Sequence, residues 1–403
     1  MNTLAVTLLQ IIIIVVCGRA LGLLLRRFGQ PAVIGEIAAG ILLGPSAFGY
    51  LAPNAFAFVF PAASIPALQS LSQIGLILFM FLVGLEFAPE LVRERKRTVV
   101  VISHVSIIVP FLLGTALAVY LHPRVSDPGV TFRSFALFLG TAMSITAFPV
   151  LARILEERQM LRTKLGTTAI GCAAVDDVTA WCILAFVVML VRAGNLSALA
   201  IKLALLAIYV VAMIFVVRPL LAKPSLTAAL ILALASAWIT EQLGIHALFG
   251  AFLAGAIMPR DETLARQMQG ISVIFLPLFF AVTGLRTNIG LLHTPALWFC
   301  CALVLAVAIA GKLGGATLSA VTVGFNWRDA TAIGILMNTR GLMEMVVLNI
   351  GLDIGVVSRP LFTMIVIMAL VTTAMTAPLL DRVVLRAREA STADDLPGLT
   401  QSS

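Results

Sequence analysis

The residues Val175-Asp176-Asp177-Val178 lie near the middle of a run, Leu165 to Val191, that is 27 residues long and otherwise carries no charge. About 20 apolar residues are enough for a helix to cross a bilayer, so this run predicts a transmembrane helix. A carboxylate at the bilayer centre costs at least about 2.5 kcal/mol on insertion scales, and two adjacent ones indicate a functional site rather than a surface pair. The rest of the chain must therefore enclose these two acids in a helical bundle.

The composition of the whole chain is typical of a polytopic helical membrane protein. Of its 403 residues, 61% are hydrophobic and only 11% are charged, whereas a soluble domain carries about 25% charged residues. The net charge of +8 does not indicate nucleic-acid binding, because the charges form short clusters between apolar runs, as membrane orientation signals do. The five cysteines lie inside apolar runs without metal-ligand spacing, and we expect them to be small packing residues.

Apolar runs along the chain predict thirteen transmembrane spans. Their approximate bounds are 3–25, 31–46, 70–88, 98–121, 132–155, 165–191, 197–218, 225–242, 245–258, 270–284, 293–320, 328–350 and 359–381. Eighteen lysine and arginine residues fall on one side of this arrangement and six on the other. By the positive-inside rule, the amino terminus lies outside and the carboxyl terminus lies in the cytoplasm.

The residues after the last span, 382–403, predict a short, disordered cytoplasmic tail, because they end in a polar mixture of Ser, Thr, Asp, Gly and Pro. No Gly-rich strand-turn-helix fingerprint follows the membrane part. We therefore expect no fused nucleotide-binding regulatory domain.

Two stretches in the first half of the chain recur in the second half. Pro31–Pro45 is similar to His246–Pro259, and Leu78–Glu86 is similar to Leu278–Arg286. The second span and its counterpart, the ninth, are seven positions apart in the order of the spans. Because this number is odd, the two copies have opposite orientations in the membrane. Such an inverted repeat predicts a binding site near the membrane midplane, between the two halves.

The fifth and twelfth spans are interrupted by polar residues at mid-membrane depth. Pro149 removes a helix hydrogen bond from the fifth span, and Gly341 follows the polar residues of the twelfth. Both are predicted to be broken helices, whose dipole ends and free carbonyls can bind an ion. A kinked packing helix is the alternative for the fifth span. The polar residues concerned are Thr141, Ser144, Thr146, Asn338, Thr339 and Arg340.

A single lysine, Lys312, lies in the apolar run Leu303–Val321. A buried ammonium needs a counter-charge, and the adjacent aspartates are the candidates. A lysine that extends to the membrane surface is the alternative. Arg340 and Glu344 are four residues apart on one helix face, so we expect them to neutralise each other in a structural or a functional ion pair.

Together, these motifs resemble the monovalent cation:proton antiporter-2 family, which includes bacterial sodium/proton and potassium/proton antiporters and the plant cation/proton exchangers. The resemblance covers about Gln30 to Pro378. It rests on the order and spacing of five motifs, which are Pro31–Pro45, Gly140–Val150, Val175–Val178, Gly311–Gly315 and Asn338–Gly351. It implies a sodium/proton antiporter-like fold, that is, an all-α polytopic membrane protein with about 13 transmembrane helices in two inverted repeats and two crossed, broken helices. It also implies a homodimer in a bacterial inner (plasma) membrane.

By this resemblance, Asp177 carries the cation (Na⁺ or K⁺) and the proton in turn, while Asp176 pairs with Lys312. The membrane part, 1–381, would divide into a core of about 98–191 and 293–381 and a dimerisation scaffold of about 1–97 and 219–290. The candidate ion- and proton-binding residues are Asp177, Asp176, Thr141, Ser144, Thr146 and Asn338, and the candidate charge-compensating residues are Lys312, Arg340 and Glu344.

The expected function is exchange of a monovalent cation for a proton by alternating access, without enzymatic activity and without a cofactor besides the transported ions. A proton and a cation compete for one buried carboxylate, which is what coupling requires. The twelfth-span motif slightly favours K⁺ over Na⁺, because it looks closest to the plant-type exchangers.

Two other functions stay open: a cation channel and a sodium-coupled symporter with the same inverted-repeat fold. A channel usually needs a ring of sites or a re-entrant filter, for which no sequence is apparent. An intramembrane aspartyl protease is excluded, because its two aspartates face each other from different helices. Asp176 and Asp177 are instead about 100° apart on one helix.

Overall fold

The computed structural model describes residues 3–86, 96–161, 163–193, 196–221 and 225–394, and every regular element in these ranges is a helix. Short 3₁₀ turns (Ala62–Ser64, Ile289–Leu291) and π turns (Met213–Val217, Ala310–Gly314) join some of the α-helices. The α-helices are α1 Thr3–Arg26, α2 Ala32–Leu43, α3 Phe48–Leu51, α4 Pro53–Val59, α5 Ile65–Glu86, α6 Lys96–Val125, α7 Phe132–Ser144, α8 Phe148–Glu157, α9 Lys164–Ala193, α10 Leu196–Ala212, α11 Arg218–Leu220, α12 Leu226–Gln242, α13 Ala247–Ile257, α14 Glu262–Arg286, α15 Pro295–Ile309, α16 Gly315–Thr322, α17 Trp327–Met337, α18 Leu342–Asp353 and α19 Arg359–Asp394.

Many of these helices are long and apolar enough to cross a membrane. Within the described ranges there are nine such spans, or up to eleven if two bent pairs each count as one span. The bent pairs are Glu262–Ile271 with Phe275–Leu291 (41°) and α17 with α18 (42°). Two shorter apolar helices, α12 and α13, add to the bundle. The prediction of an all-α polytopic membrane protein is confirmed, and the count of thirteen spans stays a prediction.

The two predicted broken helices are present, and they cross each other. The first break, residues 145–147, separates α7 from α8, and the second, residues 338–341, separates α17 from α18. The Ala147 N–H donates a hydrogen bond to the Thr339 carbonyl oxygen at 2.9 Å. The backbone groups that each helix loses at its break are therefore partly satisfied by the other break, as buried backbone in a membrane requires.

Glycine contacts between the two halves show the inverted repeat in atomic detail. A Cβ atom on Gly40 of α2 would lie 2.2 Å from the Ala281 carbonyl oxygen of α14, and one on Gly255 of α13 would lie 2.0 Å from the Phe81 carbonyl oxygen of α5. Gly40 and Gly255 hold the same place in one repeated motif, and Phe81 and Ala281 hold the same place in the other. The α2–α14 crossing is thus the copy of the α5–α13 crossing, and each is close enough to require glycine.

The helices pack in two groups. The scaffold group comprises α1, α2, α5 and α12–α14, and the core group comprises α6–α9 and α15–α19. Contacts are dense within each group, whereas contacts between them, such as that of α14 with α18, are sparse. The predicted division of the membrane part into a dimerisation scaffold and an ion-transport core stays a prediction.

The predicted disordered tail differs from the structure over part of its length. The last helix, α19, continues to Asp394, so residues 382–394 are helical, and residues 395–403 lie outside the described ranges. The prediction was based on the polar residues at the end of the chain. The arginine, alanine, leucine and glutamate residues that follow Asp381 are instead good helix formers.

Candidate ion-binding site

Asp176 of α9 is fully buried, and its carboxylate accepts hydrogen bonds from four side chains. The donors are Lys312 Nζ at 2.7 Å, Ser103 Oγ at 2.8 Å, Thr146 Oγ1 at 2.8 Å and Ser106 Oγ at 3.1 Å. A carboxylate has about four lone-pair sites, so these donors occupy its acceptor capacity. Asp176 is therefore a fixed partner of its surroundings.

The adjacent carboxylate, Asp177, is in a different environment. The residue is only 4% exposed, yet neither of its oxygens has a hydrogen-bond partner within the described part of the chain. The N–H of Phe148, the first residue of α8, lies close enough to interact with it. A buried carboxylate with so little compensation is unfavourable as a bare ion. Asp177 therefore differs from Asp176 in having little around it to compensate a negative charge, and its role in binding a cation and a proton stays a prediction.

Lys312 lies in the π turn between α15 and α16 and is fully buried. Besides the bond to Asp176, its Nζ donates to the carbonyl oxygens of Ser144 at 2.6 Å and Ser106 at 2.9 Å, so all three ammonium protons have acceptors. A Cβ atom on the preceding residue, Gly311, would come within 2.9 Å of the α6 backbone, so glycine allows this close approach. The expected ion pair between Lys312 and Asp176 is present.

Arg340 lies in the second break and is also fully buried. Its guanidinium donates to the carbonyl oxygens of Ala142 at 2.9 Å and Met143 at 2.6 Å, in the last turn of α7. A cation is favourable at this position, because the carboxyl end of a helix carries partial negative charge. The Glu344 carboxylate lies 3.7 Å from Arg340 Nη1, and neither of its oxygens has a hydrogen-bond partner among the described residues. Arg340 thus caps α7 as well as facing Glu344.

The other predicted site residues contribute differently. Thr146 donates to Asp176 and also lies 3.0 Å from the Met337 carbonyl oxygen, across the two breaks. The hydroxyl groups of Thr141 and Ser144 instead donate to carbonyls of their own helix, at 2.7 and 2.8 Å. Asn338 Oδ1 is buried without a hydrogen-bond partner within the described ranges, so it is an available oxygen ligand. The roles of these residues in ion binding stay predictions.

Sequence reasoning missed three residues that hold the site in place. Ser103 and Ser106 of α6 donate to Asp176, and their spacing of three residues on an apolar helix, which places both hydroxyls on one face, was the available signal. Thr373 of α19 accepts from the Arg340 N–H at 3.0 Å and donates to the Arg340 carbonyl oxygen at 2.8 Å. Its signal is the run Val371-Thr-Thr-Ala-Met-Thr376, which is polar for a transmembrane helix.

The fold and the site together define a class of protein. Inverted repeats, two broken helices that cross in contact and buried carboxylates beside the crossing are the construction of secondary transporters. Residues 11–382 match the family model described as sodium/hydrogen exchanger, transmembrane, and the chain belongs to this family. The family resemblance drawn from the sequence motifs is confirmed.

Individual relatives agree with this assignment. A protein of Synechocystis sp. named Na⁺/H⁺ antiporter NhaS4 is 44% identical over 401 residues, which cover 95% of this chain and 98% of that protein. Cation/H⁺ antiporter 17 of Arabidopsis thaliana is 40% identical over 398 residues, which cover 94% of this chain and 48% of the plant protein, so the chain spans about half of its length. The structure of the sodium proton antiporter MjNhaP1 from Methanocaldococcus jannaschii at pH 8 matches with a TM-score of 0.65 at 15% identity, covering 95% of this chain and 99% of that one. At this identity the structural likeness shows the fold alone.

Proposed function

We propose that the protein is a secondary active antiporter that exchanges a monovalent cation, Na⁺ or K⁺, for H⁺ across the membrane. The observation that carries this proposal is the unequal environment of two adjacent aspartates. Asp176 is saturated with donors and paired with Lys312, whereas Asp177, almost as buried, has no hydrogen-bond partner within the described residues. The first carboxylate is thus a fixed counter-charge, and the second is the carrier. Membership of the sodium/hydrogen exchanger family supports the exchange of a cation for a proton.

Coupling follows from the use of one carboxylate for both ions. A proton and a cation bind the same oxygens of Asp177, so one must leave before the other binds. A bare charge is costly to move through the protein interior, so only the loaded forms cross. The core group would move against the scaffold group and expose Asp177 to each side in turn, as alternating access requires. The transported ions are the only ligands, and no enzymatic step is involved.

The residues around Asp177 supply the remaining functions in this scheme. Asn338 Oδ1 is an oxygen ligand for the cation, and Thr146 orients Asp176 at the crossing of the breaks. Thr141 and Ser144 shape the end of α7. Arg340 and Glu344 compensate the charge of that helix end and of each other.

We further propose the cellular setting that the charge pattern and the resemblance favour. The protein is a homodimer in a bacterial inner membrane, with the amino terminus outside and the carboxyl terminus in the cytoplasm. Exchange of cations for protons there would contribute to pH homeostasis.

The test is cation-driven proton movement in proteoliposomes that contain a pH-sensitive dye. Addition of Na⁺ or K⁺ should move protons in the wild-type protein, and Asp177→Asn should reduce the movement to that of protein-free liposomes. Asp127→Asn is the control, because Asp127 is an exposed carboxylate in the turn before α7 and should leave exchange unchanged. Undiminished exchange by Asp177→Asn would remove the carrier assignment. Single-channel currents, or sodium uptake that requires an organic solute, would favour a channel or a symporter instead.

A further inference from the structure

Two ion pairs join the core group to the scaffold group at one end of the bundle. Arg192, near the end of α9, lies 3.5 Å from Glu241 of α12. Arg286, the last residue of α14, lies 3.0 Å from Asp353, the last residue of α18. All four residues line one cavity of about 300 Å³. This end of the bundle therefore has both an opening between the two groups and charged contacts across it.

Arg286 and its neighbours form the more extensive of these contacts. Arg286 Nη1 donates to Asn349 Oδ1 at 2.8 Å and to Asp353 Oδ1 at 3.0 Å. In the opposite direction, Asn349 Nδ2 donates to Thr283 Oγ1 of α14 at 2.9 Å. Asn349 and Asp353 are four residues apart, so they lie on the same face of α18. Hydrogen bonds in both directions thus hold a scaffold helix to a core helix.

These contacts are placed where movement of the core group would break them. The helix α18 directly follows the second break, which crosses the first break beside Asp176 and Asp177. A movement of this site must therefore also move α18. Arg286 and Asp353 also line a second, neighbouring cavity of about 770 Å³, so the pair stands between two openings. We propose that Arg286, Asn349 and Asp353 form a latch that holds the protein in one of its two transport conformations and separates in the other. This inference rests on the proposed antiport function.

The inverted repeat predicts a counterpart of the latch in the scaffold group at the opposite membrane face. Arg286 ends α14 two residues after Gly284, and Glu86 ends α5 two residues after Gly84. A Cβ atom on Gly84 would lie 2.1 Å from a carbonyl oxygen of α13, and one on Gly284 would lie 2.5 Å from a carbonyl oxygen of α2, so the two glycines are equivalent in space as well as in sequence. Glu86 therefore takes the place of Arg286, with the opposite charge.

The core group supplies the other half of this counterpart. Glu157 ends α8, the helix after the first break, as Asp353 ends α18, and Arg153 lies one turn earlier, in the place of Asn349. In this structure Arg153 bonds to Glu157 of its own helix at 3.0 Å, and Glu86 has no ion-pair partner within the described residues. In the second conformation, Arg153 pairs with Glu86 while the Arg286 latch is open.

Cross-linking tests this exchange of partners. All five native cysteines are replaced first, and two cysteine pairs are then introduced separately, Arg286→Cys with Asp353→Cys and Glu86→Cys with Arg153→Cys. A short, cleavable, thiol-reactive cross-linker should lower cation/proton exchange in proteoliposomes at least about tenfold for either pair, and cleavage should restore it. Conditions that raise the cross-linking yield of the first pair should lower that of the second. If cross-linking the first pair leaves cation/proton exchange undiminished, the latch is overturned.

The matched control is an ion pair of similar exposure within the core group. Arg158 and Asp381 lie 2.7 Å apart with side chains 17% and 43% exposed, against 18% and 43% for Arg286 and Asp353. A cross-link between Arg158→Cys and Asp381→Cys should leave exchange unchanged. Failure of the antiport proposal is recognised separately, because the cysteine-free protein would then show no cation-driven proton movement before any cross-linking.

A charge exchange provides a second test that needs no cross-linker. Arg286→Glu and Asp353→Arg should each slow exchange about tenfold, because each places like charges opposite one another. The double variant should recover most of the rate. Circular dichroism checks that the variants are folded. A folded double variant that exchanges as slowly as the slower single variant would also overturn the latch.

Discussion

Lys312 Nζ lies 2.7 Å from Asp176 Oδ2, and both side chains are fully buried. The same ammonium binds the carbonyl oxygens of Ser106 in α6 and Ser144 at the end of α7. One lysine therefore joins four helical elements: its own π turn, α6, α7 and, through Asp176, α9. This arrangement ties the first broken helix to the helix that carries both aspartates. The Lys312–Asp176 pair therefore organises the site, beside which Asp177 has no side-chain hydrogen-bond donor among the described residues.

Removal of the ammonium alone should be strongly destabilising. Lys312→Met leaves Asp176 buried without its counter-charge, and breaking a buried pair in this way costs about 3–5 kcal/mol. Asp176→Asn in the same chain removes the excess charge, so the double variant should regain most of the lost free energy of unfolding. Unfolding free energies of the four chains in detergent micelles form a double-mutant cycle. Strictly additive effects would show that the two side chains are not coupled.

The hydroxyl donors to Asp176 should also contribute to stability. Ser103→Ala removes a 2.8 Å hydrogen bond to a buried carboxylate, and such bonds to charged groups contribute about 1.5–3 kcal/mol. Ser319→Ala is the matched control, because Ser319 is also buried but donates to the Ala316 carbonyl of its own helix. Thermal unfolding in the same detergent compares the two variants. An equal loss of thermal stability in both variants would mean that the hydrogen bond from Ser103 to Asp176 makes no specific contribution to stability.

The sequence was sufficient for features whose cause is local. Long apolar runs define spans, and the energetic cost of charges in them singled out Asp176, Asp177 and Lys312. The two breaks were also predictable, because Pro149 and Gly341 disfavour a continuous helix and lie beside clusters of polar residues. Each of these inferences needs only the residue types within a short window of the chain.

Features that depend on tertiary proximity were not predictable in this way. Ser103 contacts Asp176 across 73 positions of sequence, and nothing in the local pattern names its partner. The ion pair that the spacing of Arg340 and Glu344 predicts is present, but α18 begins only at Leu342, so the two residues do not share one helix face. Arg340 therefore lies outside the regular helix. Its guanidinium donates hydrogen bonds to carbonyl oxygens of α7, and its Nη1 lies 3.7 Å from the Glu344 carboxylate.

This capping role predicts that lysine cannot replace Arg340. The planar guanidinium bonds two successive carbonyl oxygens, those of Ala142 and Met143, from two different nitrogens. A lysine presents one compact ammonium, so Arg340→Lys should leave a buried carbonyl unsatisfied at a cost of about 1–3 kcal/mol. Thermal unfolding and the exchange rate should both fall. Arg359→Lys, at the exposed first residue of α19, is the control, and an Arg340→Lys variant as stable as this control would contradict the capping role.

The glycines of the repeat provide a test of the fold itself. A Cβ atom on Gly84 would lie 2.1 Å from the Phe252 carbonyl oxygen, so Gly84→Ala must push α5 and α13 apart, and such overpacking costs about 1–3 kcal/mol. Gly284→Ala should be similarly harmful, because its Cβ would lie 2.5 Å from the Ile37 carbonyl oxygen at the equivalent crossing. Gly270→Ala is the control: among the described residues, no atom outside its own stretch of helix lies within 4 Å of its added Cβ, and alanine favours helix over glycine by about 1 kcal/mol. Thermal unfolding should therefore separate the two crossing variants from a neutral or stabilised control. A stable Gly84→Ala beside an unstable Gly284→Ala would show that the two crossings are not equivalent, which would also remove the argument that places Glu86 opposite Arg286.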